Sequence, residues 1–415
     1  MKKIAIITSN YMPNPDANGI CAYNIINELK KNSDDVVCIC SQQEGEKTQE
    51  TIDGVKIFRI APAMHMRAIN QYLKHPSWKN KRKMSVILTV RRCKNLLNII
   101  RYPRTEIKRE NLILSVLDQM HEFDLIIAIF RPFEGIGATI AYKKKHPNCQ
   151  ICGYFLDSLI NFVPRGINPQ IYRKITLRNE EKYLKRLDII LKPESDERYY
   201  KKGIWNDKIA YVKFPVFVKA NSSAKYKFAD NELSLVFIGT LDSVYRSPAY
   251  LLKVLQQLHC NGTSARFHFF GTYDNSGEMT NWEKEYKDFF SSHGRISYQM
   301  SRTVLANADI LVNITNKNLE MVPSKVYELM AQGKPILNVN SNRNDSCEKY
   351  FASYPLVCNI NAAEGNIEKD SGKIKNFLET QIIHPIDYQQ IYSDNYKATP
   401  EYVSELIRKK YFKIL

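Results

Sequence analysis

Residues 320–337 read E-M-V-P-S-K-V-Y-E-L-M-A-Q-G-K-P-I-L. They follow an apolar run at 308–315, A-D-I-L-V-N-I-T, whose composition predicts a buried strand. Pro323 and Ser324 mark a helix start, and Gly333 with Pro335 marks its end. A second apolar run at 336–339 resumes the sheet. The order is strand, loop, short helix, strand, with the helix N-terminus presented at the strand's carboxyl end. That is where an open parallel sheet binds ligands, and where free backbone N–H groups favour a phosphate.

Two side chains narrow the ligand. Lys325 and Glu328 are three positions apart and share one face of the expected helix. The lysine suits a phosphate near the first turn, and the carboxylate one turn deeper suits a ribose diol. Glu320, upstream in the loop, suits the hydroxyls of a sugar. Val326, Leu329 and Met330 are left for the core. The same lysine and glutamate read equally well as a solvated ion pair worth a few tenths of a kcal/mol.

A glutamate, seven residues and a second glutamate, leading into a short helix closed by Gly-x-Pro and an apolar strand, resembles the donor-site motif of retaining GT-B glycosyltransferases, family 4 in particular. The variant P-S-K-x-x-E-L-M-A-x-G-K-P is similar to the branch common in bacterial surface-polysaccharide assembly. The resemblance implies an α/β chain of two Rossmann-like domains facing a cleft. It places a nucleotide-sugar, UDP- or GDP-linked, in the second domain and the acceptor in the first. It also implies retention of anomeric configuration, with no metal ion and no cofactor beyond that co-substrate.

At 415 residues the chain is long enough for two domains, and its 44% hydrophobic and 25% charged content is that of a globular protein. Met1-Lys2-Lys3 leads directly into a strand-like run, so no signal peptide is expected. No apolar stretch approaches the roughly 20 residues of a membrane helix, which points to the cytoplasm. The nine cysteines are scattered, and Cys149 and Cys152 form a lone C-x-x-C without the second pair of a zinc site. Reduced, buried thiols are the expectation. No metal site is expected.

The net charge of +17 is uneven: residues 64–110 hold 13 basic side chains against Glu106 and Glu110. Within them, residues 84–100 carry apolar positions interleaved with Arg91, Arg92 and Lys94, and Trp78, Lys79, Lys81, Arg82 and Lys83 lie just upstream. A basic amphipathic helix with an aromatic neighbour reads as an element for an anionic membrane surface, here the cytoplasmic face of the inner membrane. An ordinary surface helix with solvated charges is the alternative. No RNA- or DNA-binding module is legible, so nucleic acid is not an expected partner.

In the first half, strands are expected at 3–9, 36–40, 55–60, 124–130, 150–156, 188–192 and 208–214, and helices at 20–31, 132–145 and 180–187. The resemblance gives Gly19, in the loop after the first strand, a close approach to the donor phosphates or acceptor, with Asn18-Gly19 standing where relatives carry Gly-Gly. It gives Asp157, at the carboxyl end of the 150–156 strand, a place by the transferred sugar. Asp157 reads equally as a helix cap or loop residue. No G-x-G-x-x-G is present, which argues against a nicotinamide enzyme.

Residues 219–232 are polar and read as a linker, so the expected domains are 1–218 and 233–385, with helices in 386–415 crossing back to the first. In the second domain the resemblance places donor contacts at Gly239, Thr240, Arg246, Ser324, Lys325 and Glu328, with Glu320 and Asp157 as catalytic candidates. Thr240 stands where relatives carry an arginine, and Arg246 is the one cation in that loop. Residues 214–217, F-P-V-F, replace the usual Asn-Gly-Val-Asp. A strand is expected at 294–298 and another at 354–360. His268, alternating with aromatics, is expected to pack in the sheet. The reading is a glycosyltransferase acting on a polyprenyl-linked saccharide. A nucleotide-sugar 2-epimerase on the same fold and a non-catalytic membrane-associated subunit are its rivals.

Overall fold

The structure, a computed structural model, describes residues 2–32, 34–62, 64–97, 106–120, 122–130, 132–161, 168–200, 208–220, 224–228, 232–317, 324–342, 347–380 and 386–412. The chain divides into two compact units, Met1–Phe214 with Pro400–Leu415, and Pro215–Thr399.

The first unit is built on β1 (Lys3–Ile7), β2 (Asp35–Ser41), β3 (Gln49–Ile52), β4 (Val55–Ile60), β5 (Leu125–Phe130), β6 (Gln150–Phe155), β7 (Ile189–Pro193) and β8 (Ile209–Val212). They lie in the order β3-β4-β2-β1-β5-β6-β7-β8. All pairs are parallel except β3 with β4. Near-continuous apolar runs such as L-I-I-A-I-F of β5 are what a parallel strand covered on both faces requires. The helices are α1 (Ala17–Lys31), α2 (Met64–Lys74), α3 (Trp78–Leu97), α4 (Ile107–Asp118), α5 (Phe133–Lys145), α6 (Pro169–Leu184) and the single turn α7 (Glu197–Tyr200). Ile113 and Leu117 of α4, Phe133 and Ile136 of α5 and Leu184 of α6 share one core with Ala5, Ile7, Val37, Ile126 and Ile151.

The second unit repeats the plan with β9 (Leu233–Leu241), β10 (Ala265–Tyr273), β11 (Phe290–Ser292), β12 (Ile310–Ile314), β13 (Ile336–Asn340) and β14 (Val357–Asn361). The order β11-β10-β9-β12-β13-β14 is parallel throughout. Its helices are α8 (Ala249–Cys260), α9 (Ser276–Glu285), α10 (Tyr298–Asn307), α11 (Ser324–Met330), α12 (Glu348–Phe351), α13 (Ile367–Thr380) and α14 (Tyr388–Asp394). Leu251 and Leu255 of α8, Trp282 of α9 and Ile374 of α13 pack with Leu235, Phe237, Phe267, Val312 and Leu337 in one core. Last comes α15 (Pro400–Phe412), which packs on α1 of the first unit, with Arg408 paired to Asp34 at 2.5 Å. Both sheets therefore run outward from a central strand in two directions. The order reverses between β1 and β5 in one unit, and between β9 and β12 in the other. Ligands of doubly wound sheets bind at the carboxyl ends of the strands at that reversal.

Two local expectations are corrected, and one strand is added. Residues 294–298 are not a strand: Gly294 takes φ +69°, and Ser297 caps α10 by accepting from the Met300 N–H at 3.2 Å. The strand of that region is β11, ahead of the turn. The helix expected at 180–187 begins eleven residues earlier, because Asn168 caps it through Gln170 and Ile171 with Pro169 in the first turn. Finally β3, unforeseen, pairs with β4 across Asp53-Gly54, both in the left-handed region.

Candidate functional site

In the second unit the carboxyl end of β9 is shaped by two glycines. Gly239 (φ +153°) and Gly271 (φ +159°) face each other in the β9–β10 ladder. A Cβ on Gly271 would overlap the Gly239 carbonyl oxygen. The strand then runs on through Thr240, exposed, its Oγ1 3.4 Å from Thr272 Oγ1.

The loop that follows is held by its own side chains. Asp242 Oδ1 accepts from the N–H groups of Val244 (3.1 Å) and Tyr245 (2.5 Å), and Ser243 donates N–H and Oγ–H to Asp274. Asp242 and Arg246 bridge backbone to backbone. The Arg246 side chain is half-buried, and burial pushes its pKa down against the pull of Asp242. Its Nε is buried without a hydrogen-bond partner among the described residues. A buried donor left unpaired is costly, and an anion is the partner that would relieve it. The segment after β12 is stitched to the same loop, Lys317 N–H donating to the Tyr245 carbonyl at 2.9 Å.

Helix α11 begins at Ser324, and on it Lys325 Nζ lies 2.9 Å from Glu328 Oε2. The sequence anticipated that pair but not the third member, Arg302 of α10, whose guanidinium is 3.6 Å from Glu328 Oε1. The Glu328 side chain is only 12% exposed, so this is not a solvated surface pair. Burial works against its charge, but Lys325 and Arg302 outweigh it and hold the carboxyl below the usual range. Glu328 therefore stays an acceptor, which is what binding a diol requires. Val326, Leu329 and Met330 are buried in the core, as expected.

Gly239, Thr240, Arg246, Ser324, Lys325 and Glu328 thus all belong to the strand end, loop and helix that flank the β9–β12 reversal. Glu320 lies outside the described residues. Among the described residues no three His, Cys, Asp or Glu side chains are grouped as a metal ion would need.

In the first unit Gly19 occupies the first turn of α1, its N–H donating to the capping Asp16 Oδ1 at 2.9 Å. The close approach it permits is by its own loop, since a Cβ there would collide with the Asn10 carbonyl. Asp157 is half-buried, two residues past the end of β6. Beside that strand end lies a cluster no spacing rule announced. Lys192 at the end of β7 is wholly buried, with Nζ 2.7 Å from Glu180 Oε1, 3.5 Å from Asp196 Oδ2 and 3.1 Å from the Tyr200 hydroxyl. It also sits 4.6 Å from the centre of the Phe155 ring, the last residue of β6.

Lys79, Lys81, Arg82 and Lys83 are exposed on α3, and Arg82 lies over the Trp78 ring. Trp78 is 75% exposed and Val86 55%. The side chains of Arg91, Arg92 and Lys94 lie outside the described residues. No described helix is long and apolar enough to cross a membrane. Cys149 and Cys152 are buried free thiols, each pushed up to about 12 by burial.

Residues 232–350 match the family described as Glycosyl transferases group 1. No curated protein matches the chain by sequence. Among solved structures, the chain is similar over its full length to the sucrose-phosphate synthase of Thermosynechococcus elongatus (10% identity, TM-score 0.58, all of that chain covered). It is equally similar over both full lengths to HepE of Anabaena, solved in complex with UDP-glucose (11% identity, TM-score 0.57). A UDP-N-acetylglucosamine 2-epimerase aligns over 98% of this chain and 95% of its own (12% identity, TM-score 0.53). The fold is GT-B. At these identities the likeness extends to the fold alone, which transferases and an epimerase share.

Proposed function

We propose that the protein is a glycosyltransferase that moves a sugar from a nucleotide-sugar to a polyprenyl-linked saccharide in surface-polysaccharide biosynthesis. The observation that carries the reading is the buried, ion-paired Glu328 beside the β9–β12 reversal, inside the stretch that matches group 1 glycosyl transferases. In this reading Glu328 accepts from the ribose hydroxyls, and Lys325 and Arg246 meet the diphosphate. Their charge stabilises the leaving group as it forms, so the reaction as proposed uses no metal ion. Gly239 and Thr240 line the donor site, and Ser324 opens its helix. Glu320 and Asp157 address the transferred sugar, which keeps its anomeric configuration as the motif's resemblance implies. Gly19, in the first unit, is assigned with the donor-binding residues, taking the close approach to the donor phosphates or the acceptor that the resemblance implies.

The exposed Trp78, Val86 and cationic face of α3 support a peripheral site on the cytoplasmic surface of the inner membrane, where a lipid-borne anionic acceptor would be found. An epimerase is the second reading, favoured by the shared fold. Thermal unfolding with UDP, GDP, ADP, CMP and their sugar conjugates tests the donor site. A nucleotide at about 100 times its dissociation constant adds roughly 2.7 kcal/mol to the unit that binds it. A shift with one base, diminished in Glu328→Ala and Lys325→Ala, is the expected result, and no shift with any nucleotide refutes it. Turnover of a nucleotide-sugar without any acceptor would select the epimerase.

A further inference from the structure

The three charged groups around Glu328 differ in how they are held. Lys325 is 31% exposed, and its one described side-chain partner is Glu328 itself. Arg302 is 14% exposed and fixed at both ends: one Nη faces Glu328 Oε1, and the other donates to the Val218 carbonyl at 2.7 Å. A planar guanidinium can hold two acceptors at once, as an ammonium on a flexible stem cannot do with the same geometry. Gln332, one turn beyond Glu328, reinforces the tie. Its Oε1 accepts from the Ala220 N–H at 2.8 Å, while its Nε2 donates to the carbonyls of Val218 (3.2 Å) and Glu328 (2.7 Å). The segment so fastened is the one by which the chain enters the second unit, and Phe217 N–H bonds there to the carbonyl of Ala398, close to where it leaves.

We propose that Arg302 is a positioning residue of the donor site, which keeps the Glu328 carboxylate ionised and aimed while Lys325 turns to the ligand's phosphate, and which ties that carboxylate to residues 216–220. The proposal rests on the donor-site reading above. Its logic is one of charge. A phosphate that takes Lys325 removes the nearer of two cations from a carboxylate that burial already opposes. Among the described residues, Lys325 on its own helix and Arg302 on α10 are the charged groups that hold Glu328 in its anionic form. With Lys325 engaged elsewhere, Arg302 alone keeps the carboxylate an acceptor.

The test compares wild type with Arg302→Met, Arg302→Lys and Gln332→Leu. Affinity for the nucleoside diphosphate that stabilises the wild type is measured by calorimetry at about pH 7 and about pH 5, above the ordinary carboxylate range. The Glu328 carboxyl is followed by carbon-13 NMR, and folding by circular dichroism. Arg302→Met should move the Glu328 titration upward and weaken binding severalfold more at the lower pH than at the higher. Arg302→Lys should return the titration and the pH profile toward wild type. It also serves as the readable variant if the methionine protein does not fold. Gln332→Leu should weaken binding by the same factor at both pH values. Unchanged affinity and an unchanged profile in Arg302→Met, or a folded Arg302→Lys whose Glu328 titration and pH profile stay away from those of wild type, overturn the proposal and leave the donor site standing. A wild type that binds no nucleoside diphosphate at all overturns both.

Discussion

Replacing Lys192 by methionine removes the cation of the buried cluster in the first unit and keeps most of its volume. The lysine and both of its carboxylate partners are almost fully shielded: side-chain exposure is 0% for Lys192 and Glu180 and 1% for Asp196. Burial already pushes the Asp196 carboxyl up, and Lys192 is the largest influence opposing it. Without the amine, two carboxylates share one dry pocket, and breaking a buried pair from one side costs about 3–5 kcal/mol. For a unit of roughly 200 residues, each kcal/mol lowers Tm by about 2–4 °C, so a fall of roughly 6–20 °C is expected in the transition of the first unit. The sign of the pH dependence is fixed. In the variant the Asp196 carboxyl, already pushed above its unfolded value by burial, loses the cation that opposes that rise. The penalty is therefore absent below the unfolded values, near pH 4, and grows as pH rises through the folded values. Thermal melts of both proteins across that range check it, with Lys192→Met/Glu180→Leu as the control that should recover much of the loss. A Lys192→Met protein as stable as wild type at neutral pH, or one whose deficit does not shrink in acid, refutes the reasoning.

Other consequences are as direct. Gly271→Ala drives a methyl into the Gly239 carbonyl and should cost about 3 kcal/mol or more, read as a lowered Tm of the second unit while the first is unmoved. Arg246→Ala should weaken nucleoside diphosphates and their sugar conjugates by roughly 10- to 150-fold, the loss of a charged hydrogen bond worth about 1.5–3 kcal/mol, and leave the bare nucleoside unaffected in calorimetry. Lys81→Gln with Arg82→Gln should reduce binding to anionic vesicles about 30-fold in sedimentation, near 1 kcal/mol for each charge removed. That difference should fade as salt is raised, and equal binding to neutral vesicles would argue against a membrane role for α3.

What the sequence made legible follows from how each feature is encoded. Apart from β3 and β11, the strands were legible because parallel strands are buried on two faces and so appear as unbroken apolar runs, and α11 because Ser324 and Gly333 punctuate it. The Gly294–Tyr298 stretch misled because one apolar residue, Ile296, follows a glycine. The capping serine at 297, three positions ahead of the N–H it accepts, was the better signal. The β3–β4 hairpin went unforeseen because β3 has a single aliphatic residue; Asp53-Gly54, the dipeptide that favours two left-handed residues in a tight turn, was the signal to use.

Arg302 is a different kind of omission. Lys325 and Glu328 are neighbours by helical spacing, so a pattern finds them. Arg302 precedes Glu328 by 26 positions with β12 between, and only the packing of α10 and α11 beside β9 and β12 brings the two together. The same holds for Lys192, which in the run I-I-L-K-P reads as the polar end of a strand, yet is closed over by Glu180 from α6 and Tyr200 from α7. In both cases the residue seen from sequence is a carboxylate or a strand end, and a charged partner of it comes from another element. A motif names the group that meets a ligand and its neighbour on the same helix; the further partner is placed by topology. Carboxylates buried beside a sheet's reversal point are therefore where a search for distant cations should begin.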